Sequence, residues 1–225
     1  MTAAAAAGTI PAGSTLLIDV VSDVVCPWCY IGKRKLELAL ARLRDPPDVA
    51  VTVRWHPFEL NPDLPAQGMS RAAYLEAKFG DTTRSDAIYA RVRAVGLEVG
   101  IAFAFERIRL QPNTLDAHRL IAWAQQRGDA QAMVERLFRA YFIEGRFIGA
   151  ADELATLAAD AGLPSDEARA MLASDAYRGE VEAEAREAQE SGISGVPFFI
   201  FNGRTAVAGA HDPDTLLEAI TAARA

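Results

Sequence analysis

The chain has 225 residues, 51% of them hydrophobic and 24% charged, which supports a buried core and excludes a disordered polymer. Thirty acidic residues against 23 basic ones leave a formal charge of −7. That balance excludes the basic stripe of a nucleic-acid binder and docking on an anionic membrane surface, and no run of about 18 apolar residues predicts a transmembrane helix.

The alanine-rich start, Met1 to Gly13, has no Lys or Arg and is interrupted by Gly8 and Pro11, so it reads as a frayed tail rather than a secretory signal. Leu16 to Asp23 is a short aliphatic run with the look of a buried strand. After Cys26 the apolar positions Ile31, Leu36, Leu38, Leu40 and Leu43 predict a helix to about Arg44, with Pro27 in its first turn and Pro46-Pro47 as its stop. Val49, Val51, Val53 and Trp55 alternate with polar or small residues, the period of a second strand. Strand, helix and strand imply a parallel pair joined by a crossover.

From Asn61 to about Ser191 helices alternate with turn residues. Ser70 is placed to cap a helix to Phe79, and Thr82 or Thr83 one to about Val95. Asn113 or Thr114 precedes a helix that Gly128 ends, and Leu137, Phe138, Tyr141 and Phe142 lie on the next, ended by Gly145. Further helices are expected around Leu154–Ala158, from Ser165 to Ser174 and from Asp175 to Ser191. Residues 151–190 hold 11 acids and 3 bases, read as a solvated helical face. Phe198 to Phe201 and Thr205 to Ala208 flank Asn202-Gly203, a hairpin signature, and Asp212 is placed to cap a last helix. The two ends thus form one α/β unit around a helical block.

Cys26 and Cys29 are the only cysteines. A bridge between residues so close staples almost nothing, and a reducing, cytoplasmic setting is expected. Zinc would need two further ligands, and His56, His118 and His211 lie on a strand, a helix and a loop, so no metal is expected. The context instead suggests redox chemistry. Cys26 falls after a strand at a helix N-terminus, where free backbone N–H groups favour a thiolate and bring a cysteine pKa from ~8.5 to roughly 3.5–7.5. Each unit of lowering is worth about 1.4 kcal/mol of preference for the thiolate. Cys29, one turn on, is placed to resolve a mixed disulfide on Cys26. Pro27 and Trp28 between them carry no charge, and Lys33, Arg34 and Lys35 are expected in water, where screening blunts their effect.

Four motifs together are specific: Cys26-Pro27-Trp28-Cys29-Tyr30-Ile31-Gly32, Trp55 to Leu60 (WHPFEL), Asn113 to Leu120 (NTLDAHRL) and Gly192 to Phe199 (GISGVPFF). With them the chain resembles the thioredoxin-fold DsbA family, and within it the FrnE-like cytoplasmic branch, from about Leu16 to Ile220. The resemblance implies an α/β, thioredoxin-like fold with a large all-helical insertion: residues 14–60 and 192–225 form the thioredoxin-like domain and 61–191 the inserted helical domain. It further implies a cis Val196-Pro197 peptide facing the cysteines, with the Val196 backbone open to a bound polypeptide. His211 stands where the family pattern has glutamine, and no extra C-terminal cysteine pair is present.

The reading that follows is a thiol–disulfide oxidoreductase. Cys26 and Cys29 are catalytic, supported by Pro27, Trp28, Val196 and Pro197. Phe58, Asn113 and His118 are candidates for the substrate groove, with Trp28 and the run Ile101, Phe103 and Phe105 as apolar lining; the core competes for Phe103 and Phe105. His118 is either a proton carrier or a packed histidine. No cofactor is implied beyond the cysteine pair. The partners expected are a protein or small-molecule thiol or disulfide, with glutathione or another small thiol as co-substrate, and neither nucleic acid nor membrane. Two other classes remain: a glutathione-dependent transferase or isomerase of the kappa-class or 2-hydroxychromene-2-carboxylate type, or a polyketide-pathway enzyme for a small aromatic metabolite; and a non-enzymatic clamp around Val196-Pro197.

Overall fold

The computed structural model describes residues 15–43, 50–80, 82–128 and 130–224. The N-terminal tail, the Pro46-Pro47 stop, Val49 and the side chains of Thr82 and Thr83 lie outside the described residues. The chain opens with β1 (Thr15–Ser22), α1 (Pro27–Leu43) and β2 (Ala50–Pro57). Then come β3 (Met69–Ser70), α2 (Arg71–Phe79), α3 (Thr82–Glu98), β4 (Leu110–Gln111), α4 (Leu115–Gln125) and α5 (Gln131–Arg139). It continues with α6 (Ala151–Asp160), α7 (Ser165–Leu172) and α8 (Arg178–Glu190), and closes with β5 (Phe198–Phe201), β6 (Thr205–Ala208) and α9 (Pro213–Arg224).

Four strands make the central sheet in the order β2-β1-β5-β6. β1 is interior and buried on both faces, which is why its sequence is apolar almost throughout instead of alternating. It pairs in parallel with β2, from Thr15↔Ala50 to Ser22↔Pro57, and antiparallel with β5, from Ile18↔Phe201 to Val21↔Phe198. Asn202 (φ 51°) and Gly203 (φ 64°) turn β5 into β6, and the Arg204 N–H donates to the Phe201 carbonyl at 3.0 Å. The Asn202 side chain accepts from the Leu17 N–H at 2.9 Å and donates to the Ala223 carbonyl at 3.1 Å, so this turn also ties β1 to α9. At the other sheet edge the Gln125 amide stands in for a strand: it accepts from the Trp55 N–H at 2.7 Å and donates to the Trp55 carbonyl at 3.4 Å.

The inserted segment packs α4 and α8 against β2. It is not wholly helical, because β3 and β4 form a two-residue antiparallel ribbon, too short to leave a period in the sequence. The Ser70 hydroxyl accepts from the Ala73 N–H at 3.2 Å and caps α2 as its sequence predicts. α5 runs on into a π-helical turn, Ala140–Glu144, which ends at Gly145 with φ 72°. The acids of 151–190 are solvated where Asp152, Asp166 and Asp175 stand exposed.

Aromatic stacking joins this segment to α1. Tyr30 stacks on Phe138 at 4.9 Å between centroids, and Phe103 meets Phe142 edge-on at 5.3 Å. Ile101, Phe103 and Phe105 are therefore core residues rather than groove lining. The basic trio on α1 is not solvated as the sequence suggests. Lys33 and Lys35 are buried; Lys33 pairs with Glu37 and, at 2.9 Å, with Glu135, while Lys35 pairs with Asp212 at 2.7 Å. Beside the i,i+4 partner Glu37, their charge is met by Glu135 and Asp212, brought from distant parts of the chain. Among the described residues no helix is long and apolar enough to cross a membrane.

Candidate active site

The site begins where β1 ends. Asp23 is fully buried and turns the chain: one carboxylate oxygen accepts from the Val25 N–H at 3.2 Å and the other from the Leu60 N–H at 2.8 Å. Its carbonyl accepts from the Cys26 N–H at 3.0 Å, and the Ser22 carbonyl from the Phe58 N–H at 3.0 Å. These bonds hold the segment after β2 against the loop that delivers Cys26.

Cys26 immediately precedes Pro27, the first residue of α1, and its carbonyl accepts from the N–H groups of Cys29 (3.0 Å) and Tyr30 (3.4 Å). Its sulfur thus sits over the free end of the helix. The Cys29 thiol, then the backbone N–H groups of Cys29 and Trp28, favour the Cys26 thiolate and bring its pKa below the ordinary thiol value, against burial and the Asp23 charge. Cys29 goes the other way: burial, then the adjacent Cys26 sulfur, push its thiol well up. Cys26 retains 6% exposure and Cys29 1%, and both are free thiols. The less buried sulfur is the one whose pKa is lowered.

Across from the pair, Val196-Pro197 is a cis peptide, and the Cys26 Sγ lies 3.6 Å from the Val196 carbonyl oxygen. Gly32 sets how closely α1 and this loop meet. A Cβ at Gly32 would stand 2.8 Å from the Pro197 Cγ and 3.1 Å from the Phe199 Cζ, so only glycine lets the helix lie against the proline ring. Sequence reasoning gave Gly32 no role; its signal was a glycine inside an otherwise strong helical pattern.

Pro27 and Trp28 are half-buried at the corner of loop and helix. Phe58 is buried. The Asn113 amide donates to the carbonyls of Pro62 (3.2 Å) and Leu64 (2.9 Å) and accepts from the Leu115 N–H (3.0 Å), so it braces a loop and the start of α4. His118 is buried on α4 with its Nε2 3.7 Å from the Asp23 carboxylate. Glu59, buried nearby, has its carboxyl raised chiefly by desolvation. His211 is exposed past the hairpin. No group of three or more His, Cys, Asp or Glu that could hold a metal occurs among the described residues.

A pair of thiols at a helix N-terminus, set against a strand-leading proline on a β-α-β and β-β-α frame, defines a thioredoxin-fold protein. The chain matches the DSBA-like thioredoxin domain over residues 17–221 and belongs to that family. It is 29% identical over 208 residues to the uncharacterized protein YwbO of Bacillus subtilis, covering 92% of this chain and 96% of that one. It superposes on a probable DsbA oxidoreductase, SCO1869 of Streptomyces coelicolor, with a TM-score of 0.82 and 34% identity over 92% of this chain and 89% of the other. A 2-hydroxychromene-2-carboxylate isomerase shares the fold at a TM-score of 0.65 and 17% identity, over 92% and 93% of the two chains.

Proposed function

We propose that the protein is a thiol–disulfide oxidoreductase that works by dithiol–disulfide exchange at Cys26 and Cys29. The observation that carries this reading is the opposite displacement of two neighbouring thiols, Cys26 toward the thiolate and Cys29 away from it. The thiolate is favoured at Cys26, the attacking sulfur, and the second thiol is held in reserve. In the reducing direction the Cys26 thiolate attacks a substrate disulfide and forms a mixed disulfide, and one substrate sulfur leaves as a thiolate. Cys29 then attacks the Cys26 sulfur, closing Cys26–Cys29 and releasing the second thiolate, so two electrons pass to the substrate. The oxidising direction is the reverse.

The Val196 backbone, beside the Cys26 sulfur, offers an edge on which an extended peptide bearing a cysteine would align. We read the substrate as a protein disulfide or a small one such as glutathione disulfide, and the setting as cytoplasmic, where thiols are kept reduced. The FrnE-like assignment rests on the four motifs. Insulin reduction with dithiothreitol, run on the wild type, Cys26→Ser and Cys29→Ser, tests the reading. Loss of activity in both variants is expected. Glutathione-dependent turnover that survives Cys29→Ser would instead assign the transferase or isomerase class, and tight client binding by the double variant with no reductase activity in the wild type would assign the clamp.

A further inference from the structure

We infer that the cleft between the loop after β2 and helix α8 is a binding site for an amino-acid zwitterion, with Glu59 receiving the ammonium and Arg186 the carboxylate. The site lies apart from the thiols and goes beyond the exchange reading. Glu59 poses the physical problem. It is 8% exposed, yet among the described residues its carboxylate accepts no hydrogen bond and meets no cation within ion-pair distance. A buried carboxylate is costly unless it is paired and hydrogen-bonded, so one left without a partner points to a ligand that completes it.

Glu59 lines an open cleft of about 330 Å³. That is the lower end of ligand pockets, about 300–1,000 Å³, and suits a small molecule. Helix α8 forms one wall with a single stripe, Glu182, Ala185, Arg186 and Gln189, whose spacing of three and four residues is that of one helix face. Pro62 and Leu115 add apolar lining. Arg186 is exposed and, like Glu59, has no hydrogen bond or ion pair among the described residues. The remaining charge, Glu182, already lies 3.9 Å from Arg178. Two acids with neither histidine nor cysteine are too few ligands for a metal ion.

This charge pattern complements a zwitterion and neither single-sign ion. A lone cation would meet Arg186, and a lone anion Glu59 and Glu182. An ammonium on Glu59 makes charge-assisted hydrogen bonds where the carboxylate has none, and Arg186 offers a carboxylate its planar fork. The apolar lining favours a short aliphatic side chain. The Glu59 backbone is fixed from both sides: the Phe58 N–H donates to the Ser22 carbonyl at 3.0 Å, and the Leu60 N–H to the Asp23 carboxylate at 2.8 Å. The ligand is therefore a small apolar amino acid, free or as the amino-acid end of a small disulfide. Burial raises the Glu59 carboxyl; His118 from α4 opposes that, and Asp23 and Glu182 add to it. Ammonium binding therefore releases a proton in acid and none once Glu59 is ionised.

Isothermal titration calorimetry with L-norvaline, butylammonium and butyrate tests the site directly. The wild type is expected to bind L-norvaline about tenfold more tightly than either single-charge probe, and Glu59→Gln and Arg186→Gln should each weaken it about tenfold. The dependence of the binding heat on the buffer should show proton release in acid that fades toward pH 8, and none in Glu59→Gln. Glu59→Leu separates binding from folding. It should abolish L-norvaline binding while raising Tm, because a carboxyl kept for a ligand costs stability, whereas a carboxyl that serves the fold would lower Tm when lost. Two disulfides distinguish the source of the ligand: homocystine has amino-acid ends and 2-hydroxyethyl disulfide has none. Homocystine turnover that falls in both glutamine variants relative to 2-hydroxyethyl disulfide assigns the site to a substrate. An unchanged ratio, with L-norvaline bound by the wild type, assigns it to a free amino acid. L-Norvaline binding that is absent from the wild type, equal in folded Glu59→Gln, or matched by a single-charge probe overturns the inference. Failure of the wild type to turn over either disulfide would count against the exchange reading alone.

Discussion

Arg119 offers the sharpest test of how the inserted segment is held. It is fully buried, and its guanidinium reaches five acceptors: the carbonyls of Met171 (3.1 Å), Leu172 (3.4 Å), Ser174 and Ala176 (2.9 Å), and the Asp116 carboxylate (2.7 Å). It thereby caps α7 and holds the bend in which Tyr177 takes φ 64° before α8 starts at Arg178, later than the sequence predicts. Arg119→Met keeps most of the apolar volume and removes every one of those donors. Leaving a single buried acceptor unpaired costs about 1–3 kcal/mol. The four carbonyls do not add in full, because Ser174 and Ala176 are exposed and water can reach them. Asp116 is partly exposed and stays near Arg178, so the loss comes chiefly from the Met171 and Leu172 carbonyls, and about 3–5 kcal/mol is expected. With an unfolding entropy of about 2.1 cal/mol/K per residue over 225 residues, this lowers Tm by roughly 6–11 °C. Differential scanning calorimetry gives the shift, and hydrogen exchange should quicken between residues 171 and 178 first. Arg119→Lys restores the charge but not the planar fork, and is expected to recover less than half of the loss. A Tm within about 2 °C of wild type in Arg119→Met would refute the capping argument.

Three further outcomes are expected. Cys29→Ala removes the thiol that most favours the Cys26 thiolate, so the midpoint of iodoacetamide alkylation against pH should rise, while Cys29→Ser shifts it less; a midpoint that does not move, or a wild-type midpoint at or above ~8.5, removes the case for an activated nucleophile. Gly32→Ala drives a methyl to 2.8 Å from the Pro197 ring, and overpacking of about 1–3 kcal/mol outweighs or matches the helix-propensity gain of about 1 kcal/mol, so Tm should fall by up to roughly 4 °C; a stabilising result contradicts the close approach. His56 is raised above its ordinary value by hydrogen bonding to Glu184 and then to Asp19, so its contribution is full below about pH 6.5 and fades as pH rises through the folded value. The urea midpoints of wild type and His56→Gln should therefore differ more at pH 6 than at pH 8.5, and an equal difference at both would rule the linkage out.

Where a feature is local in the chain, its sequence was enough to read it. The spacing of Cys26 and Cys29 around Pro27, the Ser70 cap, the Asn202-Gly203 turn and the uninterrupted apolar run of β1 each depend on neighbours a few residues away, and each stands in the fold as read. Side chains whose fate depends on distant partners were read less well. Lys33 and Lys35 look like solvent residues until Glu135 and Asp212 are folded onto them, and the choice between groove and core at Phe103 is made only when Phe142 meets its edge. The two-residue β3–β4 ribbon and the π-helical turn after α5 are too short to carry a period.

The sequence by itself determined a strand–helix–strand and strand–strand–helix frame, the helical block within it and the two thiols at a helix start, because hydrophobic period, turn chemistry and cysteine spacing act over a few residues. Only the tertiary structure decided that the two thiols are displaced in opposite directions, that Gly32 sets the gap to Pro197, and that Glu59 and Arg186 line one cleft. Those outcomes turn on burial and on contacts between residues as much as 170 positions apart, such as Cys26 and Val196, and no local pattern encodes them.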